Sequence, residues 1–467
     1  MTEHWSNDLL LFPRRRCGDD GAVFPRSPVI PAEAGIQSRS QWPLHRAGAQ
    51  PRWLSRNLAG LDAAPPPRRP GLAFVTTLVA ISLVGPLSIH LFFPVMPEVK
   101  KAFGVSDALV GLSFSATLMT MAFVTLAYGS LSDRYGRRPV LLSGLVLFWV
   151  GSAIALWSGT IEGLIAGRVV QAAGAGCGLT LARAIARDTY GTDSLVKVIA
   201  YLTMGYTLGP MLSPMIAGAL IDAFGWHSAL WFSLVAGSLI LAAAWLVLYE
   251  TRPEEDSRQQ SATIWGDFAE LLRQPRFVAY VCQTGFATGA FLAMSAASSF
   301  IMVDNLGRSA GEFGLWFVLY PFGFLLGNVI SSRLTRRVSI DTMVIAGSAI
   351  IALAIVVQAS FVLYGTLTPA SLFIPGFFTT IGQGIALPNA QVGAIRVKPA
   401  LAGTAAGLGV FAQMFFGGVF SQFHSMIADG TPTPMVITTS IAAVLMLACG
   451  IVPYAMRDRE RARARAR

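Results

Sequence analysis

Charge is what this chain has least of. Of its 467 residues 13% are charged and 54% hydrophobic, and mean hydropathy is +0.57. Soluble domains carry about 25% charged residues, so an ordinary soluble enzyme, a disordered scaffold and a nucleic-acid-binding module are excluded. A pI near 9.8 does not reverse this, because Lys and Arg lie in short clusters between long apolar runs. Cysteine is scarce as well. Cys17, Cys177, Cys282 and Cys449 show no CxxC and no metal-ligand spacing, so neither a disulfide framework nor a metal centre is expected. There is no phosphate-binding P-loop, which argues against ATP-driven work. No cofactor is expected, and no clustered His/Asp or His/Glu set suggests an enzyme. The chain reads as a polytopic membrane protein.

Residues 1–70 differ from the rest. They hold 10 of the 26 prolines and 10 arginines, with no lysine. Proline at this density blocks regular helix, and no apolar run there reaches the length of a signal-peptide core. This segment is expected to be a disordered Arg/Pro-rich tail, or to come from a start codon placed too far upstream. A lipid-binding tail is the lesser alternative.

From residue 72 the pattern changes. A membrane helix needs about 20 apolar residues, and twelve such stretches follow. They lie near 72–93, 107–128, 139–157, 161–183, 195–220, 227–249, 277–301, 313–332, 341–362, 369–394, 402–426 and 435–456. A polar segment at 251–276, expected to be a central cytoplasmic loop, separates residues 72–250 from 277–456. Two halves of near-equal length suggest internal duplication. The fold class is therefore an all-α membrane protein of 12 transmembrane helices in two six-helix bundles. Odd-to-even connections carry only Lys100, Lys101 and Arg308, while even-to-odd connections carry fourteen basic residues. The positive-inside rule then puts both termini in the cytoplasm of a multi-pass inner-membrane protein. The basic tail 457–467 fits, as a solvated anchor against anionic lipid. A monomer is expected.

The strongest local motif is Gly129-Ser-Leu-Ser-Asp-Arg-Tyr-Gly-Arg-Arg138, between the second and third helices. Gly129 and Gly136 permit a tight reversal at the membrane surface. Asp133 can pair with nearby basic groups or sit against a helix N-terminus, and Arg134, Arg137 and Arg138 hold the loop in the cytoplasm. The segment resembles the loop signature of the major facilitator superfamily, G-x-L-x-D-R/K-x-G-R/K-R/K. That resemblance implies two bundles around a central cavity, with a cytoplasmic latch that breaks and re-forms as they rock. The equivalent second-half segment, residues 327–337, lacks the acidic residue.

On the fifth helix Gly205 and Gly209 lie four apart, as do Pro210 and Pro214, with Gly218 beyond. Small residues at this spacing allow close helix approach and the prolines kink the helix. The segment is similar to the antiporter motif of drug-exporting facilitators. On the fourth helix, Arg168 in Gly167-Arg-Val-Val-Gln171 is costly to bury, so it should face the interior and have a partner. It resembles the family's Arg-x-x-Gln-Gly motif, which implies a role in proton transfer; snorkelling to the headgroups is the alternative. The first helix, Gly85-Pro-Leu-Ser-Ile-His-Leu-Phe-Phe-Pro94, is similar to that of the Bcr/CflA branch of drug-resistance transporters. His90 stands where that branch usually has aspartate.

No Asp or Glu lies deep in any stretch: Asp107, Glu162, Asp222, Asp304 and Glu312 are near the ends. Histidine titrates near neutrality, so His90 is expected to serve as the proton-coupling site in place of a carboxylate. A satisfied structural histidine is the plainer alternative. Candidates for the substrate cavity are Phe92, Phe93, Tyr201, Tyr206, Gln283, Tyr320, Asn328, Gln383, Asn389 and Gln413. Such a surface suits hydrophobic or zwitterionic small molecules. The reading is a proton-coupled multidrug exporter. Its rivals are a carrier of an endogenous metabolite and a non-transporting sensor or scaffold.

Overall fold

The computed structural model describes residues 71–252, 264–365 and 367–466, so the tail 1–70 lies outside the described residues. All the described elements are helical. Twelve helices are long and apolar enough to cross a membrane. They are α1 (Leu72–His90), α2 (Asp107–Tyr135), α3 (Arg137–Trp157), α4 (Ile161–Thr189), α5 (Ser194–Phe224) and α6 (His227–Val247), then α7 (Pro275–Asn305), α8 (Ala310–Leu334), α9 (Ile340–Tyr364), α10 (Pro369–Val397), α11 (Pro399–Ile427) and α12 (Thr433–Arg457). In lipid, a helix satisfies every backbone group within its own segment, which is why these apolar runs take this form.

Several helices are interrupted where the sequence removes a donor or a side chain. α1 breaks at Leu83, three residues before Pro86, and its chain turns after His90 before the short helix Met96–Phe103. α4 breaks between Ala175 and Gly178. α5 stays helical through Pro210 and Pro214, and α10 through Pro375 and Pro388. The central segment departs from the expected loop in one respect: Ile264–Leu272 forms a helix. Leu271 is fully buried there beside Phe277 and Tyr280 of α7. Leu271 and an ion pair of Glu270 with Lys398 dock this helix, signals too short to stand out in a polar stretch.

The first six helices pack mainly on one another, as do the last six, and the halves meet along α2–α11 and α5–α8. At these meetings glycines let the helices press close, side chain on backbone at one and backbone on backbone at the other. An added Cβ at Gly111 would lie 2.1 Å from Ser425 Oγ, and one at Gly218 would lie 2.2 Å from the Ala310 carbonyl oxygen. Both contacts lie toward the end of the molecule remote from the Gly129–Arg138 loop. The end bearing that loop is called the arginine-rich end below.

Candidate functional site

Cross-half polar contacts gather at the end opposite the arginine-rich end. Lys100, on the short helix after α1, reaches Asp107 of α2 at 2.8 Å and Asp304 of α7 at 3.2 Å. Ser299 of α7 donates to the Phe93 carbonyl at 2.6 Å. Asp222 at the end of α5 accepts from Ser309 Oγ at 2.7 Å and from the Gly311 amide at 3.0 Å. Ser115 of α2 donates to Gln422 of α11 at 2.7 Å. Phe93 also lies 5.5 Å from Phe317 of α8, ring to ring. This end is closed. Burial at the seam pulls the Lys100 ammonium down, but the two carboxylates outweigh it and hold it above its ordinary value. Its contribution is therefore complete below the ordinary lysine range and is lost only as pH rises through the higher value. Replacing Lys100 by Gln is expected to raise the labelling rate of a cysteine placed at Ala297, beside the cluster, by about threefold, as for loss of a partly exposed ion pair.

The arginine-rich end is built differently. Gly136 turns the chain with φ of +99°, a conformation that L side chains rarely adopt. Arg137 then bridges Asp133 at 2.5 Å and Asp188 of α4 at 2.8 Å, and donates to Ser132 Oγ at 2.7 Å. Glu250, just past α6, accepts from the Arg137 amide at 2.9 Å and the Arg138 amide at 3.1 Å. It thus caps the first turn of α3, a role that sequence reading missed because capping here comes from 113 residues away. Arg138 donates to the Trp245 carbonyl and lies over its ring, and Arg134 lies over Tyr135. Asp133, Arg137, Asp188 and Glu250 all belong to the first half. Burial pushes the Glu250 carboxyl up, but four backbone N–H groups outweigh it and hold the carboxyl below its usual range. Its stabilising effect is then present above the ordinary Glu value of about 4.3 and is lost as pH falls through the lower one. Hydrogen exchange, corrected for intrinsic rates, should find the Arg137 and Arg138 amides protected at about pH 5; the Glu250→Ala variant should lose that protection.

Between the ends lies Arg168. It is 3% exposed, so it does not snorkel. Its guanidinium donates to Gln171 Oε1 at 2.6 Å and to the Ser88 carbonyl at 2.7 Å, and stacks 4.3 Å over the Phe92 ring. Gln171 passes the chain on, donating to Ser152 and Ser233 hydroxyls at 2.8 and 2.9 Å. No acid pairs with Arg168 among the described residues. His90 is buried two residues from Ser88. Its Nδ1 lies 3.2 Å from the Pro86 carbonyl, and its ring meets Phe93 edge-on at 5.7 Å. Phe92 and Arg168 thus meet where the first and fourth helices pack, whereas the His90 ring turns to Phe93.

The glycines of α5 are packing positions. A Cβ on Gly209 would lie 2.3 Å from Pro86 Cβ, and one on Gly205 would lie 2.7 Å from a methyl of Val79. They seat α5 on the kink of α1, while Gly218 meets α8. Pro214 is buried and its carbonyl faces Gly314 of α8.

The ten expected cavity residues are not gathered in one place. Tyr201 is exposed on α5, and Tyr206 stands near Arg183 of α4. Phe93 and Tyr320 are fully buried within aromatic contacts. Gln283 turns to Ser348 of α9, inside its own half, and Gln413 bonds its own helix at the Gly409 carbonyl. Gln383 is buried on α10. Asn328 and Asn389 do come together. They line a cavity of about 880 Å³ among α7, α8, α9 and α10, with Arg276, Tyr280 and Asp341. Asp341 is 4% exposed and accepts from Tyr280 and from Arg276 at 3.0 Å. Sequence reading passed over it because it stands at the very start of its apolar stretch.

Comparison with known proteins bears on the chain as a whole. A family model described as Major Facilitator Superfamily matches residues 78–422. Multidrug resistance protein D of Escherichia coli K12 is 27% identical over 392 residues, covering 84% of this chain and 98% of that protein. The bicyclomycin resistance protein homolog of Haemophilus influenzae is 25% identical over 382 residues, covering 80% and 94%. Among solved structures, a bacterial homolog of the human lysosomal transporter Spinster superposes with a TM-score of 0.67 at 16% identity. That match covers 82% of this chain and 96% of that one, and it speaks to fold alone.

Proposed function

Because this chain belongs to the Major Facilitator Superfamily, we propose that it is an inner-membrane exporter of drugs or other small amphipathic molecules, working by alternating access with inward proton movement. The observation that carries the reading is the asymmetry of the seam. One end is sealed by Lys100–Asp304, Asp222–Ser309 and Ser299–Phe93. At the arginine-rich end α4 and α5 leave Arg183, Tyr201 and Met204 exposed. The clustering of basic loops supports a cytoplasmic arginine-rich end and cytoplasmic termini, and in that orientation this conformation takes up substrate from inside. Asp133 and Arg137 make their ion pairs within the first half and none to the second among the described residues, which supports an opened cytoplasmic end. Both sides of the seam come from one chain, which supports a monomer. The relatives named for multidrug and bicyclomycin resistance support export of foreign compounds.

His90 is the proton-coupling group of this reading. It is buried, and its ring meets Phe93, which touches Ser299 and Phe317 of the second half, so rocking of the halves would change what surrounds it. The test uses everted vesicles with an acidic interior and a ΔpH dye, with amphenicols, sulfonamides and cellular metabolites as the panel. Substrate-dependent collapse of ΔpH, lost in His90→Ala while substrate still binds, is the expected result. Binding without any ΔpH response in the parent chain would make the protein a facilitator instead.

A further inference from the structure

We propose that the exported molecule is a monoanionic amphiphile, whose acid group is met by Arg183 at the cytoplasmic mouth and by Arg168 in depth. This rests on the exporter reading and specifies its substrate.

α4 of the first half carries two arginines, and among the described residues no acid pairs with either. The other faces of α4 are taken by α1, α2, α3 and α5. The strip that carries Thr180 and Arg183 therefore looks into the space between the halves. Arg183 is exposed on that strip, and no hydrogen bond or ion pair holds it among the described residues. The Tyr206 hydroxyl is its polar neighbour. A charged side chain at membrane depth normally pairs with a partner or lines a path for one. Arg183 has the path.

Arg168 lies 15 positions earlier, about 22 Å deeper at 1.5 Å per residue. Its Nε has no partner although the atom is buried, and the same is true of Ser88 Oγ. The two groups belong together, since Arg168 also donates to the Ser88 carbonyl at 2.7 Å. Buried polar atoms are nearly always satisfied, so the bare Arg168 Nε–H and the bare Ser88 hydroxyl are each a donor open to an oxyanion. Two such donors suit a carboxylate better than a neutral carbonyl.

Several of the described acids are engaged elsewhere. Asp188 and Asp133 hold Arg137, Asp107 and Asp304 hold Lys100, and Asp341 holds Arg276. Arg183 and Arg168 are thus left without a carboxylate among the described residues, which favours an anion over a cation beside them. Tyr201, Met204 and Leu208, exposed on α5, supply an apolar wall for the rest of the molecule.

The experiment compares two probes with one fluorophore, dansylglycine (a carboxylate) and dansyl-ethylenediamine (an ammonium), on the full chain. Binding is followed by fluorescence in detergent and efflux in everted vesicles, beside the panel used above. The carboxylate probe is expected to bind at least tenfold more tightly than the ammonium probe. Arg183→Gln should reduce that preference about fivefold, the loss of one exposed charge, and Arg183→Lys should restore most of it. Arg183 is exposed, so its variants test recognition without risk to folding. Equal binding of the two probes, tighter binding of the ammonium, or an unchanged preference in Arg183→Gln would overturn the inference. Transport of panel compounds with neither dansyl probe bound would also overturn it, while leaving the exporter reading in place. Absence of flux for every compound would overturn the exporter reading and the inference with it.

Discussion

Gly218→Leu is expected to prop the sealed end open and stop turnover. An added Cβ there would lie 2.2 Å from the Ala310 carbonyl oxygen, 2.8 Å from Ala310 C and 2.9 Å from Gly311 Cα. These are backbone atoms at the start of α8, so no side chain can swing aside. Forcing extra volume into such a contact costs about 1–3 kcal/mol. The penalty applies only while α5 and α8 are pressed together, so it acts on the balance between the two access states. At about 1.4 kcal/mol per tenfold, the closed population should fall by roughly one to two decades. Because the clash involves Cβ itself, Gly218→Ala should show most of the effect. Gly409→Ala, on α11, where nothing lies within 4 Å, should leave flux unchanged. The check is labelling of a cysteine at Ala297, buried beside the sealed end, by a membrane-impermeant reagent added to intact cells. Faster labelling in the Gly218 variants is predicted, with protein amounts matched to the parent.

Arg168→Leu is expected to have the second large effect, on both stability and flux. The leucine leaves the Gln171 carbonyl and the Ser88 carbonyl without their donor in a site that is 3% exposed or less on Arg168 and Gln171. Removing one partner from a buried charge-assisted bond costs about 1–3 kcal/mol for each acceptor left bare. Replacing a buried unpaired cation by a hydrocarbon also removes its desolvation penalty, so the net loss should be smaller than the sum. Arg168→Lys keeps the charge but cannot reach Gln171 and Ser88 together while stacked on Phe92. Flux is therefore expected to fall at least about a hundredfold in Arg168→Leu and by an intermediate factor in Arg168→Lys. Thermal melting of the purified variants separates the two effects. A melting point lowered equally in both, with equal loss of flux, would make Arg168 a packing residue only.

Much of the architecture was legible in the chain, for a physical reason. In lipid the backbone must bond within its own helix, so span number follows from runs of apolar residues, and the twelve expected stretches match twelve helices. Close approach was legible for the same kind of reason: Gly205, Gly209 and Gly218 lack the Cβ that Val79, Pro86 and Ala310 would meet. What could not be read was azimuth. An apolar helix such as α7 gives little hint of which face meets which neighbour. Gln283 could thus be expected in the cavity, whereas it bonds Ser348 within its own half. Polar partners far apart in sequence were also hidden. Nothing near Lys100 announces Asp304, and nothing near Arg137 announces Glu250. Arg183 escaped notice because it sits at the last position of its apolar stretch, where it reads as loop charge.

The most direct test of alternating access is a pair of distances measured by double electron–electron resonance on spin-labelled protein in lipid. One pair, at Ala102 and Thr433, spans the sealed end. The other, at Leu131 and Arg336, spans the arginine-rich end. All four positions are exposed. Without substrate, the sealed-end pair should be short and the arginine-rich pair long. With substrate under an imposed pH gradient, a second population should grow in which the first pair lengthens as the second shortens. Distances that do not change, or that change in the same sense at both ends, would contradict the account.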